Sequence, residues 1–341
     1  MIQILIHKKY NKLRRVAAAL AIFLLTLSAA PAASATQSDG GELMLCPGGM
    51  PFGVRFATNG VLIVGISDSS SPAARAGLRV GDVILKIDGR PAGGAAAVGR
   101  AIDGCGGRAV RLDCLREGRE LTVTIAPRKT PGGGFEAGVM IRDGGAGIGT
   151  VTYIDPTCNI FGGLGHGICD PDTGRPMPMS RGCLLGVRLT GIERSRPGEP
   201  GELRGSFDSV RLGAVTENTA LGVFGAFAAL PSGTREAIPI AHRADVREGD
   251  AVMLCTLDGG GVGEYSIRLA AIDRSSRGGR SFTVQVTDSR LIERTGGILQ
   301  GMSGSPIIQD GRLVGAVTHV MISDPTLGYG IFIENMLAAN K

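Results

Sequence analysis

The stretch GGILQGMSGSPIIQDGRLVGAVTHV, residues 296–320, places two serines among glycines immediately ahead of apolar runs of strand length. Similar short apolar runs, split by Gly, Pro and Asp, recur upstream as GIGTVTYI, LLGVRLTGIER and AVMLCTL. Few segments beyond residue 138 have helical periodicity. Regular short strands with turn signals predict a mainly β fold of the sandwich or barrel type for this part of the chain.

Length and composition indicate a two-domain β-rich chain rather than a helical bundle. The chain has 341 residues, 55 glycines and no tryptophan, which suggests two domains, or one domain with a smaller module and a leader. The net charge of +5 is mild, and the chain has no basic stripe with interleaved aromatic residues. We therefore expect no nucleic-acid partner.

Residues 1–35 have the pattern of an export signal. A basic region precedes an apolar run over residues 16–30, and Ala33-Ser34-Ala35 offers a small-x-small cleavage site. The same run could instead remain as a tilted membrane anchor. Either way we expect the rest of the chain to be exported, with membrane contact through this N-terminal segment. The basic residues are Lys8, Lys9, Lys12, Arg14 and Arg15.

Cysteine usage argues against a zinc ribbon or a thioredoxin-like redox site. The chain has seven cysteines, and none forms a CxxC pair. Disulfides among Cys158, Cys169 and Cys183 and small buried free thiols are both compatible with the sequence.

The segment GVLIVGISDSSSPAARAGLRVGDVILKIDGRPAGG, residues 60–94, alternates strands with a short helix. Strands are predicted over residues 61–66 and 82–87, followed by the turn Asp88-Gly89. The helix begins near Pro72 and ends at Gly77. A second helix in GGAAAVGRAIDG precedes strands 109–116 and 120–126, which Glu117-Gly118 joins as a hairpin.

This α+β segment resembles a PDZ domain, most specifically in SPAARAGLRVGDVILKIDGRPA. The resemblance puts the carboxylate-binding loop at GGMPFGVRF, where backbone N–H groups and a strand edge would hold a peptide. Pro51 removes one of these donors, and use of the domain as a rigid spacer stays open. We expect the domain over residues 41–130, with a flexible joint at RKTPGGGFEAG and a second domain over residues 135–341. The predicted peptide-binding residues are Met50, Pro51, Phe52, Gly53 and Val54.

A serine nucleophile in the opening stretch would need a histidine as base. Among the four histidines, His7 lies in the leader, His242 has polar neighbours typical of a surface, and His319 lies in a predicted strand that would line a site. His166, in DPTCNIFGGLGHGICD, lies between glycines in a turn and is the candidate base.

The loop around Ser303 has the spacing of an oxyanion-binding turn. In Gly301-Met302-Ser303-Gly304, the N–H groups of Gly301 and Ser303 can converge on a developing oxyanion, and Gly304 is expected to leave room for substrate. Ser305 occupies the last position of Gly-x-Ser-x-Gly, which disfavours a nucleophile-elbow hydrolase.

The segments GMSGSP, LVGAVTHV and DPTLGYGIFI resemble the nucleophile region of chymotrypsin-like serine proteases. With the PDZ-like segment, GHGICD and QVTDSRLIERTGGILQGMSGSPII, the chain closely resembles the stage IV sporulation protein B peptidase family from about residue 41 to its end. The resemblance implies a chymotrypsin-like double β-barrel after the PDZ domain. It also implies a triad of His166, Asp288 and Ser303, with Gly301 and Ser303 as the oxyanion hole. Asn218 is an alternative partner to orient His166.

The resemblance further implies an exported regulatory serine endopeptidase of bacterial sporulation, active between the two membranes of the forespore. Such an enzyme cleaves itself and an extracytoplasmic regulator in a membrane-bound complex, and so triggers intramembrane processing of a sigma-factor precursor. We expect protein or peptide substrates, a peptide ligand for the PDZ domain and no cofactor. The alternative is a catalytically silent PDZ adaptor with a protease-like barrel. Metal-based hydrolysis lacks support, because the sequence contains no HExxH motif.

Overall fold

Strands dominate the chain, as the short apolar runs predict. The computed structural model describes residues 42–340, so the predicted signal peptide or anchor at residues 1–35 lies outside the described residues. Within residues 42–340 no helix is both long enough and apolar enough to span a bilayer.

The strands are β1 (Met44–Pro47), β2 (Pro51–Ile66), β3 (Val83–Ile87), β4 (Arg90–Pro91), β5 (Val110–Arg116), β6 (Arg119–Ile125), β7 (Arg128–Lys129), β8 (Phe135–Glu136), β9 (Val139–Ile154), β10 (Ile160–Gly163), β11 (Met179–Glu193), β12 (Glu202–Thr219), β13 (Gly222–Phe227), β14 (Ile238–Pro239), β15 (Gly249–Cys255), β16 (Gly263–Ala270), β17 (Phe282–Val286), β18 (Pro306–Gln309), β19 (Arg312–Met321) and β20 (Asp324–Phe332). The helices are α1 (Pro72–Arg75), α2 (Ala95–Asp103), α3 (Ser289–Thr295) and α4 (Ile333–Ala339).

Six strands of the C-terminal half form a closed barrel in the order β15-β16-β17-β20-β19-β18. The alternation along β17 shows why these residues form a strand: Phe282, Val284 and Val286 are buried in the barrel core, and the residues between them are less buried. The apolar runs predicted around the opening stretch become β18 and β19 of this barrel.

A second closed barrel is formed upstream by β9, β10, β13, β12, β11 and β2, with a β2–β9 pairing that closes the ring. Phe52, Phe161, Val215 and Val223 lie in its core. Two packed barrels confirm the expected double β-barrel.

The PDZ segment has its own core, formed by Val61, Ile84, Val98 and Leu112 among others. Its local features follow the sequence: the Ser71 hydroxyl caps α1 by accepting the N–H of Ala74, with Pro72 at the first turn. Both predicted turn dipeptides, at residues 88–89 and 117–118, have two consecutive positive φ angles, as a type I′ turn requires.

The PDZ segment is an insertion in the sequence of the first barrel. Strands of that barrel both precede and follow it along the chain. The early part of β2 pairs with β9 and β11 in the barrel, whereas its later part, from Val61, packs in the PDZ core. Strand β9 makes the return crossing, pairing with the later part of β2 before it enters the barrel. The expected flexible joint is the β7–β8 hairpin, which runs directly into β9. The domain limits therefore differ from the expected N-terminal PDZ domain at 41–130, because residues 51–57 belong to the barrel and β1 pairs with its strand β9.

The predicted PDZ peptide-binding loop is wrong in its location for the same reason. Phe52 and Val54 are buried in the first barrel core. Gly53 pairs with Ile148 of β9 on one side and with Leu185 of β11 on the other, so this strand has no free edge for a peptide. This correction applies to all five proposed residues, Met50, Pro51, Phe52, Gly53 and Val54.

Candidate active site

The nucleophile loop lies between the two barrels and is held by both. From the first barrel, the N–H of Thr150 on β9 donates to the Ser303 carbonyl at 2.9 Å, and its hydroxyl donates to the Gly301 carbonyl at 2.8 Å. From the second barrel, the Val317 carbonyl on β19 accepts the N–H of Gly304 at 2.7 Å. The main chain of the loop is therefore fixed before any substrate binds.

Gly304 is required by close approach of the first barrel. Its φ is +96°, and a Cβ at this position would lie 2.0 Å from the Thr150 carbonyl oxygen and 2.4 Å from the Leu164 nitrogen. The space beside Gly304 is thus filled by protein backbone, which differs from the expectation that it leaves room for substrate.

The two serines of the loop differ in exposure. Ser303 is partly buried, and its hydroxyl donates to the Thr318 carbonyl at 2.7 Å. Ser305 is fully buried, and its hydroxyl has no hydrogen-bond partner among residues 42–340. Only Ser303 presents a hydroxyl that a substrate could reach.

Two main-chain donors of the loop are unused. In the described part of the chain, the N–H groups of Gly301 and Ser303 donate no hydrogen bond, whereas those of Met302, Gly304 and Ser305 each do. Gly301 has a φ of +95°, which only glycine adopts at low cost. Two free N–H groups flanking one residue are the donor pair expected of an oxyanion hole.

His166 is held in the tautomer that a general base needs. Leu164 and Gly165 both have positive φ and form the sharp turn at the end of β10 that presents the ring. The ring Nδ1 lies 2.9 Å from the Gly167 carbonyl oxygen. Since a carbonyl only accepts, Nδ1 carries the proton and Nε2 keeps its lone pair. Burial lowers the pKa of His166 from its ordinary value, and the bond to Gly167 opposes this only in part.

Ser303 and His166 contact neighbouring residues of β19, and no hydrogen bond joins their two side chains in this structure. The Thr318 carbonyl accepts the Ser303 hydroxyl. The next residue, His319, has its ring centroid 5.0 Å from that of His166. A turn of the Ser303 hydroxyl away from Thr318 is needed before it can donate to His166, and catalytic hydrogen bonds often form only when substrate is bound.

A cleft of about 470 Å³ opens beside the two histidines. His319 lines it, as predicted for a strand residue at the site, together with Cys169 and Arg280. Burial, followed by the charges of His166 and Arg280, lowers the pKa of His319 to about 4. The ring is therefore neutral at neutral pH. His242, by contrast, lies at the surface beside Glu334, as expected.

Asp288, the predicted acid, lies at the start of α3. Its carboxylate accepts the N–H groups of Arg290 and Leu291 and caps the helix, and it forms an ion pair with the Arg290 guanidinium at 2.8 Å. Hydrogen bonds from Arg290 lower the pKa of Asp288 to about 2. Asp288 makes no hydrogen bond to His166, so a role in orienting the base would require it to leave these contacts.

Asn218, the alternative, lies on β12 beside the segment that follows His166. Its side chain accepts the N–H of Ile168 at 2.7 Å and donates to the carbonyls of Ile168 and Met177 at 2.9 and 3.0 Å. It therefore fixes the main chain next to His166 but does not bond the ring. Both assignments of the third triad member stay predictions.

Sequence reasoning missed two contributors to the site. The group that bonds Nδ1 of His166 is a main-chain carbonyl, which leaves no trace in residue type. The hydroxyls of Thr150 and Thr152 donate to carbonyls of the nucleophile loop from a strand far away in sequence. Only the polar character of these two residues inside an apolar strand could have indicated this role.

All seven cysteines are free thiols. Among residues 42–340, no group of three or more His, Cys, Asp or Glu could hold a metal ion.

Comparison with known families places this chain in a family of peptidases. The model of the SpoIVB peptidase S55 family matches residues 133–337, more than half of the chain. The chain belongs to the SpoIVB peptidase S55 family. A PDZ-domain model matches residues 67–116, which lie inside the inserted domain. The region matched by the peptidase family model, residues 133–337, contains His166, Asn218, Asp288 and Ser303.

Matches to individual proteins are short or have low sequence identity. The chain is 43% identical over 82 residues to the magnetosome formation protease MamE of Paramagnetospirillum magneticum, a match that covers 23% of this chain and only 10% of MamE. Among solved structures, the Rv3671c protease of M. tuberculosis matches with 14% identity and a TM-score of 0.32, over 57% of this chain and 73% of that one. A serine endoprotease from Yersinia pestis matches with 14% identity and a TM-score of 0.30, over 57% and 55% of the two chains. Similarities of this size carry no further conclusion.

Proposed function

We propose that the chain is a serine endopeptidase in which Ser303 is the nucleophile and His166 the general base. The observation that carries the proposal is the loop of residues 301–304. It combines one accessible hydroxyl with two unused N–H groups, and it is locked between the two barrels. Family membership supports the same chemistry.

The proposed reaction follows from these groups. The Ser303 oxygen attacks the peptide carbonyl while its proton passes to Nε2 of His166, and the carbonyl oxygen becomes an oxyanion between the N–H groups of Gly301 and Ser303. His166 then gives the proton to the leaving amine as the peptide C–N bond breaks. Water, activated by the same ring, hydrolyses the acyl-enzyme and restores Ser303. The Gly167 carbonyl keeps Nδ1 protonated throughout, so Nε2 is always the nitrogen that exchanges the proton.

We further propose the biological setting that the family resemblance implies. The chain would be exported through residues 1–35, which serve as signal peptide or membrane anchor, into the intermembrane space of a forespore. It would cleave itself and an extracytoplasmic regulator bound at the membrane, and this cut would release processing of a sigma-factor precursor. The inserted PDZ domain would bind a peptide, either from a partner or from the chain itself.

The test is a pair of substitutions within one loop. Purified Ser303→Ala should lose both self-cleavage and cleavage of an unfolded protein substrate, because the nucleophile is gone. Ser305→Ala is the matched control: it removes a buried hydroxyl that has no partner, so it should fold and cleave normally. If Ser303→Ala cleaves as well as the wild type, or if the wild type itself does not cleave, a catalytically silent PDZ adaptor is the better description.

A further inference from the structure

The chain that follows His166 folds into a hairpin, residues 167–177, which we call the His166 hairpin. The N–H of Met177 donates to the Ile168 carbonyl at 3.0 Å and closes its base. At its tip, the Asp170 carboxylate accepts the N–H groups of Asp172 and Thr173. Because Gly167 at its start bonds the His166 ring, any movement of the hairpin moves the carbonyl that orients the base.

The tip of this hairpin contains a buried carboxylate that pairs with a guanidinium. The Asp170 side chain has no exposed surface, and the Arg142 guanidinium contacts it at 2.5 Å. The same guanidinium contacts the exposed carboxylate of Asp172 at 2.5 Å through its other terminal nitrogen. Arg142 therefore bridges two carboxylates of one turn, a geometry that a planar guanidinium provides and a lysine ammonium does not.

Arg142 lies where the PDZ domain meets the first barrel. It is on β9 and pairs in register with Leu62, at the start of the part of β2 that packs in the PDZ core. Two more contacts join the hairpin region to the PDZ segment: the Arg175 guanidinium donates to the Val80 carbonyl at 3.3 Å, and the N–H of Asn59 donates to the Pro178 carbonyl at 3.2 Å. The hairpin is thus tied to the inserted domain at its tip and at its base.

We propose that Arg142 is a positioning residue for the peptidase reaction: by holding Asp170 and Asp172, it fixes the His166 hairpin against the PDZ junction and so keeps His166 aligned for proton transfer. This inference rests on the proposed function. In this arrangement the PDZ insertion is part of the scaffold of the catalytic base. Misalignment of a catalytic group by about 1 Å costs on the order of a hundredfold in rate.

The test compares full-length Arg142→Ala and Arg142→Lys with the wild type. We expect Arg142→Ala to lower kcat by about 10- to 100-fold with little change in KM, and Arg142→Lys to recover part of the loss because it restores one ion pair. The rate of Ser303 labelling by a fluorophosphonate should fall by the same factor. Hydrogen–deuterium exchange should rise at the amides of residues 167–177. Arg111→Ala, which removes an exposed ion pair with Asp113 inside the PDZ domain, should change none of these readouts.

A double variant separates positioning from stability. Arg142→Ala leaves the Asp170 carboxylate buried and unpaired, which destabilises the fold. Arg142→Ala with Asp170→Asn removes that charge, so it should regain thermal stability while kcat stays low. Recovery of both stability and kcat in the double variant, or wild-type kcat and exchange in Arg142→Ala, would overturn the inference. If the fluorophosphonate does not label Ser303 in the wild type, the proposed function is overturned, and the positioning role of Arg142 with it.

Discussion

Substitution of Gly304 by alanine should be among the most damaging single changes in this chain. The residue has a φ of +96°, so a side chain costs about 1–2 kcal/mol from backbone strain alone. The new Cβ would also lie 2.0 Å from the Thr150 carbonyl oxygen and 2.4 Å from the Leu164 nitrogen. Both atoms are main chain, so relief requires β9 or the nucleophile loop to move. We expect Gly304→Ala to lower the free energy of unfolding by about 4 kcal/mol or more.

Gly311→Ala is the matched control, because Gly311 has a φ of +75° and open space around its Cβ position. Urea unfolding followed by circular dichroism gives both free energies, and fluorophosphonate labelling reports the geometry at Ser303. Gly311→Ala should show only the strain cost and wild-type labelling, whereas Gly304→Ala should show the larger loss and little labelling. Equal destabilisation of the two variants, with labelling intact in both, would refute the claim that the loop is locked against the first barrel.

Four further predictions concern residues at or near the site. Asn218→Ala should reduce kcat by about tenfold or more, because the main chain beside His166 loses three hydrogen bonds. Asp288→Ala should cost about 1 kcal/mol of stability through the lost cap of α3 and affect kcat less. Steady-state kinetics of the folded variants decides whether Asn218 or Asp288 supports His166. Loss of activity in Asp288→Ala alone would favour Asp288 as the orienting acid. Since burial lowers the pKa of His166 from 6.5, the base form persists into mild acid. The acid limb of kcat/KM should therefore have its midpoint below pH 6.5, and a midpoint above that value would contradict the burial argument. The pKa of His319 is lowered from 6.5 to about 4 in the folded protein, so the unfolded chain binds the proton first and stability falls as the pH drops from 6.5 towards 4. Urea midpoints across this range should fall less in His319→Asn than in the wild type, and an equal fall in both would exclude His319 as the source.

Local structure in this chain follows closely from local sequence. The turns at residues 88–89 and 117–118 and the start of α1 at Pro72 are set by backbone preferences of a few neighbouring residues. The insertion of the PDZ domain is different, because β2 and β9 each change partners part-way along their length. Nothing in the apolar pattern of Phe52 and Val54 distinguishes a PDZ strand from a barrel strand. Sheet partners distant in sequence decided the outcome.

The active site likewise combines features that follow from local sequence with features that depend on distant segments. Glycine spacing and residue chemistry nominated Ser303 and His166, and the family resemblance was needed to favour Ser303 over Ser305 and to assign His166 as the base. In the structure Ser303 is partly exposed whereas Ser305 is buried, and Nδ1 of His166 lies against a carbonyl oxygen. The catalytic roles of Ser303 and His166 stay predictions. The environment of His166 was not predictable, because it depends on the Gly167 carbonyl and on a hairpin held by Asn218 and Arg142. Such contacts form only when distant segments pack, and they leave no local signal.

The most direct test of the account is the mapping of a covalent serine reagent. The purified full chain is treated with a fluorophosphonate at neutral pH, digested and analysed by tandem mass spectrometry. The account predicts one modified residue, Ser303, with labelling that disappears in His166→Ala and persists in Ser305→Ala. Modification at another residue, or labelling of Ser303 that does not depend on His166, would contradict the assignment of Ser303 and His166 as nucleophile and base.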